Sequence, residues 1–220
     1  MRLFAAVNFS DEIKRQILIV QEQLRSRALS GNFSRSENFH ITLAFLGETP
    51  EEKLESLFGI IDKIEAPAFE IRFNSTGCFT HSRKELWWIG ADRNSSGFPV
   101  LLSIHKQLLT RLLAAGFHVD TRPFNAHITL GREIKHSGPI ILDKPDIKLN
   151  ANRVSLMKSE HVRGVLTYTE IYGKGSTPSM EDFPHNSIMS RSSPMATPEQ
   201  AGKAFSQDTE SVFRGAKIFQ

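Results

Sequence analysis

A chain of 220 residues, 40% hydrophobic and 23% charged, is long enough for one large domain or two small ones. Its net charge of +3 and pI near 9.1 permit a phosphate-bearing partner without demanding one. No apolar run reaches the roughly 18 residues of a membrane span, so no membrane partner is expected. The single Cys78 excludes an intramolecular disulfide and a thiolate metal cluster, and it points to a reducing, cytoplasmic setting.

Arg2 to Asn8 is a short apolar run that predicts a buried strand rather than a signal peptide. Ser10 caps a helix, Asp11 and Glu12 favour its first turn, and Ile13, Ile17, Val20 and Leu24 recur at helical spacing as far as about Arg27. Ser30-Gly31-Asn32 breaks it. HITLAFLG, from His40 to Gly47, reads as a strand. Thr49 as cap, Pro50 at the first helical position and the acids Glu51 and Glu52 predict a second helix. Its apolar stripe is Leu54, Leu57, Phe58, Ile61 and Ile64. Phe69 to Phe73 and Leu86 to Gly90 predict strands, and Pro99 to Ala115 a helix stopped by Gly116. A short strand is expected at His118 to Asp120, and NAHITLGR follows Pro123. Ile147 to Asn150, Val154 to Met157 and Val165 to Tyr172 complete the strands. From residue 176 Ser, Thr, Pro and Met dominate without periodicity. Residues 176–220 therefore read as a largely disordered tail, with a capping-box start at Thr197 for one short helix.

The tetrapeptide HITL occurs twice, at His40–Leu43 and at His127–Leu130. In a strand the side chains at i and i+2 share a face, about 7 Å apart. Each copy thus presents an imidazole and a hydroxyl together: His40 with Thr42, His127 with Thr129. The surroundings repeat too. Strand, helix, break and HITL strand follow in that order in each half, with Phe4 36 residues before His40 and Trp88 39 before His127. A duplicated unit predicts an α+β, bilobal domain over 1–175 with a pseudo-twofold axis, each sheet covered by its helices and the free faces meeting across a cleft. Ile41, Leu43, Ile128 and Leu130 then face the helices, and the two His/Thr pairs face each other. Burying four polar side chains for packing alone would be unfavourable.

Two imidazoles across a cleft suit general acid–base chemistry, one neutral and one protonated, and two threonine hydroxyls can hold a phosphate between them. Such a site needs no metal and no cofactor. Arg132 lies five residues after His127, so strict alternation turns it away from the His face. A bend after Gly131 would bring its guanidinium to the phosphate. Phe45 also falls on the opposite parity from its motif histidine, and both a core role and a base-stacking role are open to it. The sequence lacks HxH and HExxH for a metal, GxSxG for a serine hydrolase and GxxxxGK[ST] for a triphosphatase. His81, His105, His118, His136, His161 and His185 form no ligand spacing and read as structural or surface residues.

Paired HxTx motifs in a duplicated α+β chain resemble the 2H phosphoesterase superfamily. Within it, RLFAAVNF, HITLAFLGE and RPFNAHITLGR resemble the bacterial RNA 2′,3′-cyclic phosphodiesterases, also called 2′-5′ RNA ligases. The stretch LMKSEHVRGVLTYTEIY is similar to that family's closing strand pair, with Ser159 and Tyr168 at familiar places. The resemblance covers about residues 1–174. It implies two antiparallel sheets with the active site between them. It also implies an RNA substrate ending in a 2′,3′-cyclic phosphate, opened to a 2′-phosphomonoester. His40 matches the general acid, His127 the general base, and Thr42 and Thr129 the phosphate-holding positions. The family can also join tRNA halves through a 2′-5′ bond. A monomer is expected. Two other readings stand beside this one: a non-catalytic module that binds an RNA end or a nucleotide, and a phosphodiesterase for a small cyclic nucleotide.

Overall fold

The computed structural model describes residues 1–82 and 84–175. Strand β1 (Arg2–Asn8) is followed by α1 (Asp11–Arg27), β2 (Ser30–Phe33), β3 (His40–Glu48), α2 (Leu54–Asp62), β4 (Phe69–His81) and β5 (Lys84–Ala91). Then come α3 (Phe98–Ala114), β6 (His127–Lys135), β7 (Ile147–Ala151), β8 (Arg153–Val162) and β9 (Val165–Gly175). The fold is α+β with two antiparallel sheets, ordered β3-β1-β8-β9 and β2-β6-β5-β4-β7. No helix among the described residues is long and apolar enough to cross a membrane. The Ser/Pro-rich tail and the helix expected after Thr197 lie outside the described residues.

Helix α1 forms as its sequence dictates. Ser10 Oγ accepts from Ile13 N, acids occupy the first turn, and Arg25 and Arg27 the last. Its inward stripe of Ile13, Ile17, Val20 and Leu24 is buried. Helix α2 differs from expectation. Thr49 does not cap it, because the Thr49 hydroxyl turns back to Gly47 O and its N–H to Met1 O at the strand end. A 3₁₀ turn over Glu51–Lys53 intervenes, and the helix ends at Asp62. Helix α1 ends at Arg27, before Ser30-Gly31-Asn32, and that stretch forms the edge strand β2, paired with β6. No strand forms at 118–120, where Asp120 is instead bonded to the backbone N–H and guanidinium of Arg122.

The repeat is visible as β1-α1-β3 and β5-α3-β6, but the helices are exchanged. Helix α1 packs on β6 and β7 of the five-stranded sheet, and α3 packs on β3 of the four-stranded one. Each motif strand is therefore backed by the helix of the opposite repeat. One buried cluster joins Leu3, Ile41 and Leu43 to Ile89, Ile128 and Leu130 through Ile17, Leu24, Leu101 and Leu108. The motif strands β3 and β6 also touch each other. A separate small cluster of Phe4, Ala6 and Met157, with Phe45 and Tyr168 against it, covers the other face of the four-stranded sheet.

Candidate active site

His40 opens β3 and His127 opens β6, so each ring is held by the residue two places earlier. His40 Nδ1–H donates to Asn38 O at 2.7 Å, and His127 Nδ1–H donates to Asn125 O at 2.8 Å. A carbonyl only accepts, so each neutral ring carries its proton on Nδ1 and presents Nε2 to the cleft. The repeat thus extends to Asn-x-His-Ile-Thr-Leu, a signal present in the sequence. Beyond this the halves differ. The Thr42 hydroxyl lies 2.9 Å from His40 Nε2, whereas among the described residues nothing is bonded to His127 Nε2.

His40 is close enough to His127 to feel its charge, and both rings feel Arg132. Burial pulls His40 down to about 4, against a gain from the Asn38 carbonyl and a further lowering by the Arg132 and His127 charges. Burial also pulls His127 below its ordinary value, with Arg132 adding to it. The rings of Phe4 and Tyr168 enclose His40 at centroid distances of 4.8 and 5.3 Å. Phe79 stands edge-on to His127 at 5.4 Å and packs on Trp88. Trp88 lies flat over Gly77 and Gly90, where an added Cβ would come within 2.6 and 2.7 Å of its ring. Only glycine at both positions leaves room for that aromatic wall.

Arg132 and Phe45 reach the cleft by the same device. Trp87 pairs with Gly131 and Trp88 with Thr129, leaving Leu130 as an extra residue in β6. Ala5 pairs with Ala44 and Ala6 with Thr42, leaving Leu43 extra in β3. Each bulge shifts the alternation by one, so the residue five places after the histidine returns to the histidine face. Phe45 accordingly packs against Phe4 and Met157, and Arg132 acts on both imidazoles. Strict alternation had turned both residues away. The bulged leucines also explain why Leu43 and Ala44, and Leu130 and Gly131, are buried in succession.

Three residues of the cleft went unnoticed or had no derived role in the sequence. Tyr168 lies beside His40; Arg2 lies over the Phe45 ring at 5.1 Å; Phe79 lies beside His127. Arg2 shares its strand face with Phe4 and Ala6, a period-2 signal that could have found it. His105, by contrast, is structural, as expected: its ring is buried in the core against Phe124. Among the described residues no group of three His, Cys, Asp or Glu side chains is placed to hold a metal ion.

Comparison with known proteins places this geometry. Residues 7–88 match the model of the LigT-like phosphoesterases. The RNA 2′,3′-cyclic phosphodiesterase of Methanocaldococcus jannaschii is 34% identical over 133 residues, which span 60% of this chain and 71% of that one. This chain belongs to the LigT-like phosphoesterases. It is accordingly a 2H phosphoesterase, named for the paired histidine motifs. The Escherichia coli RNA 2′,3′-cyclic phosphodiesterase is 29% identical over 170 residues, 77% of this phosphoesterase and 93% of that protein. The crystal structure of E. coli LigT complexed with 3′-AMP matches with a TM-score of 0.68 at 28% identity, covering 80% of this chain and 98% of that one. The two-sheet fold of this phosphoesterase is thus the fold of LigT.

Proposed function

We propose that this phosphoesterase hydrolyses RNA 2′,3′-cyclic phosphate ends to 2′-phosphomonoesters, with His127 as general base and His40 as general acid. The observation that carries the assignment is the unequal state of the two rings. His127 Nε2 presents an unengaged lone pair, suited to taking a proton from water. Water attacks phosphorus as His127 takes its proton. The bond from phosphorus to O3′ breaks, and His40 Nε2–H protonates the leaving oxygen. Phosphate stays on O2′.

Thr42 changes partner in this scheme. While His40 is neutral, the Thr42 hydroxyl donates to its Nε2. Once Nε2 is protonated, that hydroxyl is released to a non-bridging phosphate oxygen. Thr129 and Arg132 complete the phosphate contacts, and Phe45 takes the terminal base. The lowered His40 fits a ring that is neutral in the empty cleft and gains its proton when an anionic phosphate binds beside it. The chain acts as a monomer and requires no metal. A 5′-hydroxyl in place of water gives 2′-5′ joining of RNA ends, such as tRNA halves, through the same two imidazoles. The names and complexes of the relatives support the RNA substrate: RNA 2′,3′-cyclic phosphodiesterases and a 3′-AMP-bound LigT.

The test is incubation with a short RNA ending in a 2′,3′-cyclic phosphate, with and without EDTA. A 2′-phosphate product at an EDTA-independent rate is expected. His40→Ala and His127→Ala should each lower that rate by about 10²–10⁴-fold in a folded protein. A 3′-phosphate product, or full activity in either variant, contradicts the assignment. Tight binding of the 2′-phosphate without any turnover would favour the binding-module reading.

A further inference from the structure

We propose that Arg2 forms a second phosphate subsite, which takes the phosphate on the 5′ oxygen of the terminal nucleoside and so selects an RNA chain over a cyclic mononucleotide. The proposal rests on the cyclic phosphodiesterase reading above. Arg2 points into the cleft, because Arg2, Phe4 and Ala6 alternate on β1 and the last two form the cleft-side cluster. Its guanidinium lies 5.1 Å over the Phe45 ring. Phe45 is the register partner of Phe4, and the Phe4 ring is 4.8 Å from His40. The floor of the cleft therefore runs from an imidazole, across two aromatic rings, to a guanidinium.

That order matches the chemistry of one nucleotide. A cyclic phosphate closes the 3′ end of an RNA, so the next phosphate is the one on O5′ of the same nucleoside. With the cyclic phosphate between the histidines, the nucleoside lies towards the half-buried Phe45, and its 5′ phosphate lies towards Arg2. Stacking on Phe45 leaves the in-plane N–H donors of Arg2 free for phosphate oxygens.

Arg2 also adds to the positive charge of the cleft, which an anion would offset. Arg25, Arg35, Arg72, Arg122 and Arg153 each face a carboxylate. Arg2 and Arg132, like Arg15, Arg27, Arg93, Arg111 and Arg163, have no carboxylate within ion-pair distance among the described residues, although Glu48 stands opposite Arg2 in the β1–β3 register. Instead the charge of Arg2 bears on Arg132, depressing it further after burial, and on Tyr168. Two guanidinium groups that repel each other in a shared cleft, neither with a carboxylate partner among the described residues, suit two linked anions.

The experiment compares kcat/KM on three substrates: adenosine 2′,3′-cyclic phosphate, its 5′-phosphorylated form, and ApA 2′,3′-cyclic phosphate. The wild type should prefer the second and third to the first. Arg2→Gln should cost those two about tenfold more than it costs the first, and Arg2→Lys should restore part of the difference. An equal loss on all three, or an undiminished preference in Arg2→Gln, overturns the subsite. A preference confined to ApA assigns recognition to the second nucleoside and also overturns it. No turnover of any substrate by the wild type sinks the phosphodiesterase reading itself, and the subsite with it.

Discussion

Gln21 and His105 hold equivalent carbonyls from opposite helices. Gln21 Nε2 on α1 donates to Leu130 O at 2.7 Å, and His105 Nδ1 on α3 donates to Leu43 O at 2.8 Å. Gln21 follows Phe4 by the same interval as His105 follows Trp88, so the two are counterparts in the repeat. Both are buried, at 3% and 6% exposure. The carbonyls belong to the extra residues of the two bulges. The exchange of helices thus serves the cleft: each helix satisfies the irregular backbone that turns Phe45 or Arg132 towards the histidines.

Removing His105 takes the side-chain donor from the buried Leu43 carbonyl, and removing Gln21 takes one of two donors from the Leu130 carbonyl. Gln21→Leu and His105→Leu should each lower stability by about 1–3 kcal/mol, read as a shift of the urea midpoint. Leu130 O keeps the N–H of Ser34, although Gln21 also serves Ser34 O. Each variant should also lower kcat/KM on a cyclic-phosphate RNA, because the bulge that aims its cleft residue loses its support. Unchanged unfolding midpoints would show that the bulges need no such anchor.

Arg132 acts on both imidazoles by charge, and its sign fixes a pH prediction. A nearby cation disfavours protonation of His40 and His127. Arg132→Gln removes that cation, so both rings should titrate at higher pH. Both limbs of the kcat/KM profile should then move upward in pH, while loss of the phosphate contact proposed for Arg132 should lower the maximum by about 10–10³-fold. Limbs that stay in place would separate Arg132 from the site.

In the proposed reading Phe45, with the Arg2 guanidinium beside its ring, stacks on the terminal base, a contribution of about 1–3 kcal/mol. Phe45→Leu should raise KM for a cyclic-phosphate RNA by about 5-fold or more and change kcat little. A rise in unfolding susceptibility with unchanged KM would instead make Phe45 a packing residue.

The motif pairs were legible because the two signals that place them are local. Period 2 joins His40 to Thr42 and His127 to Thr129, and the repeated order of elements joins the copies. Strict alternation alone turns Arg132 and Phe45 away, because a bulge is one unpaired residue and no residue type announces it; the bend expected after Gly131 is the nearest the sequence comes to it. Leu43 and Leu130 look like ordinary core positions. Only the cross-strand register, and the buried partners Gln21 and His105, reveal that each is extra. The helix exchange was hidden for a similar reason. An amphipathic stripe says that α1 and α3 cover a sheet, not which one. Strand β2 was missed because Ser30-Gly31-Asn32 has turn chemistry, and its pairing with β6 supplies what its propensity lacks.

The lowered His40 also makes stability depend on pH. In the unfolded chain a histidine titrates near 6.5, but His40 in the fold does so at about 4. Between these values the unfolded chain binds a proton that the folded one refuses. Falling pH therefore favours unfolding through this window, and the contribution is fully present only above pH 6.5. The gap corresponds to roughly 3 kcal/mol from His40 by pH 4, and the lowered His127 adds in the same direction. His40→Gln cannot take up that proton. Its urea midpoint should fall less than that of the wild type between pH 6.5 and pH 4. Parallel losses in both proteins would mean that His40 is not desolvated in the empty cleft.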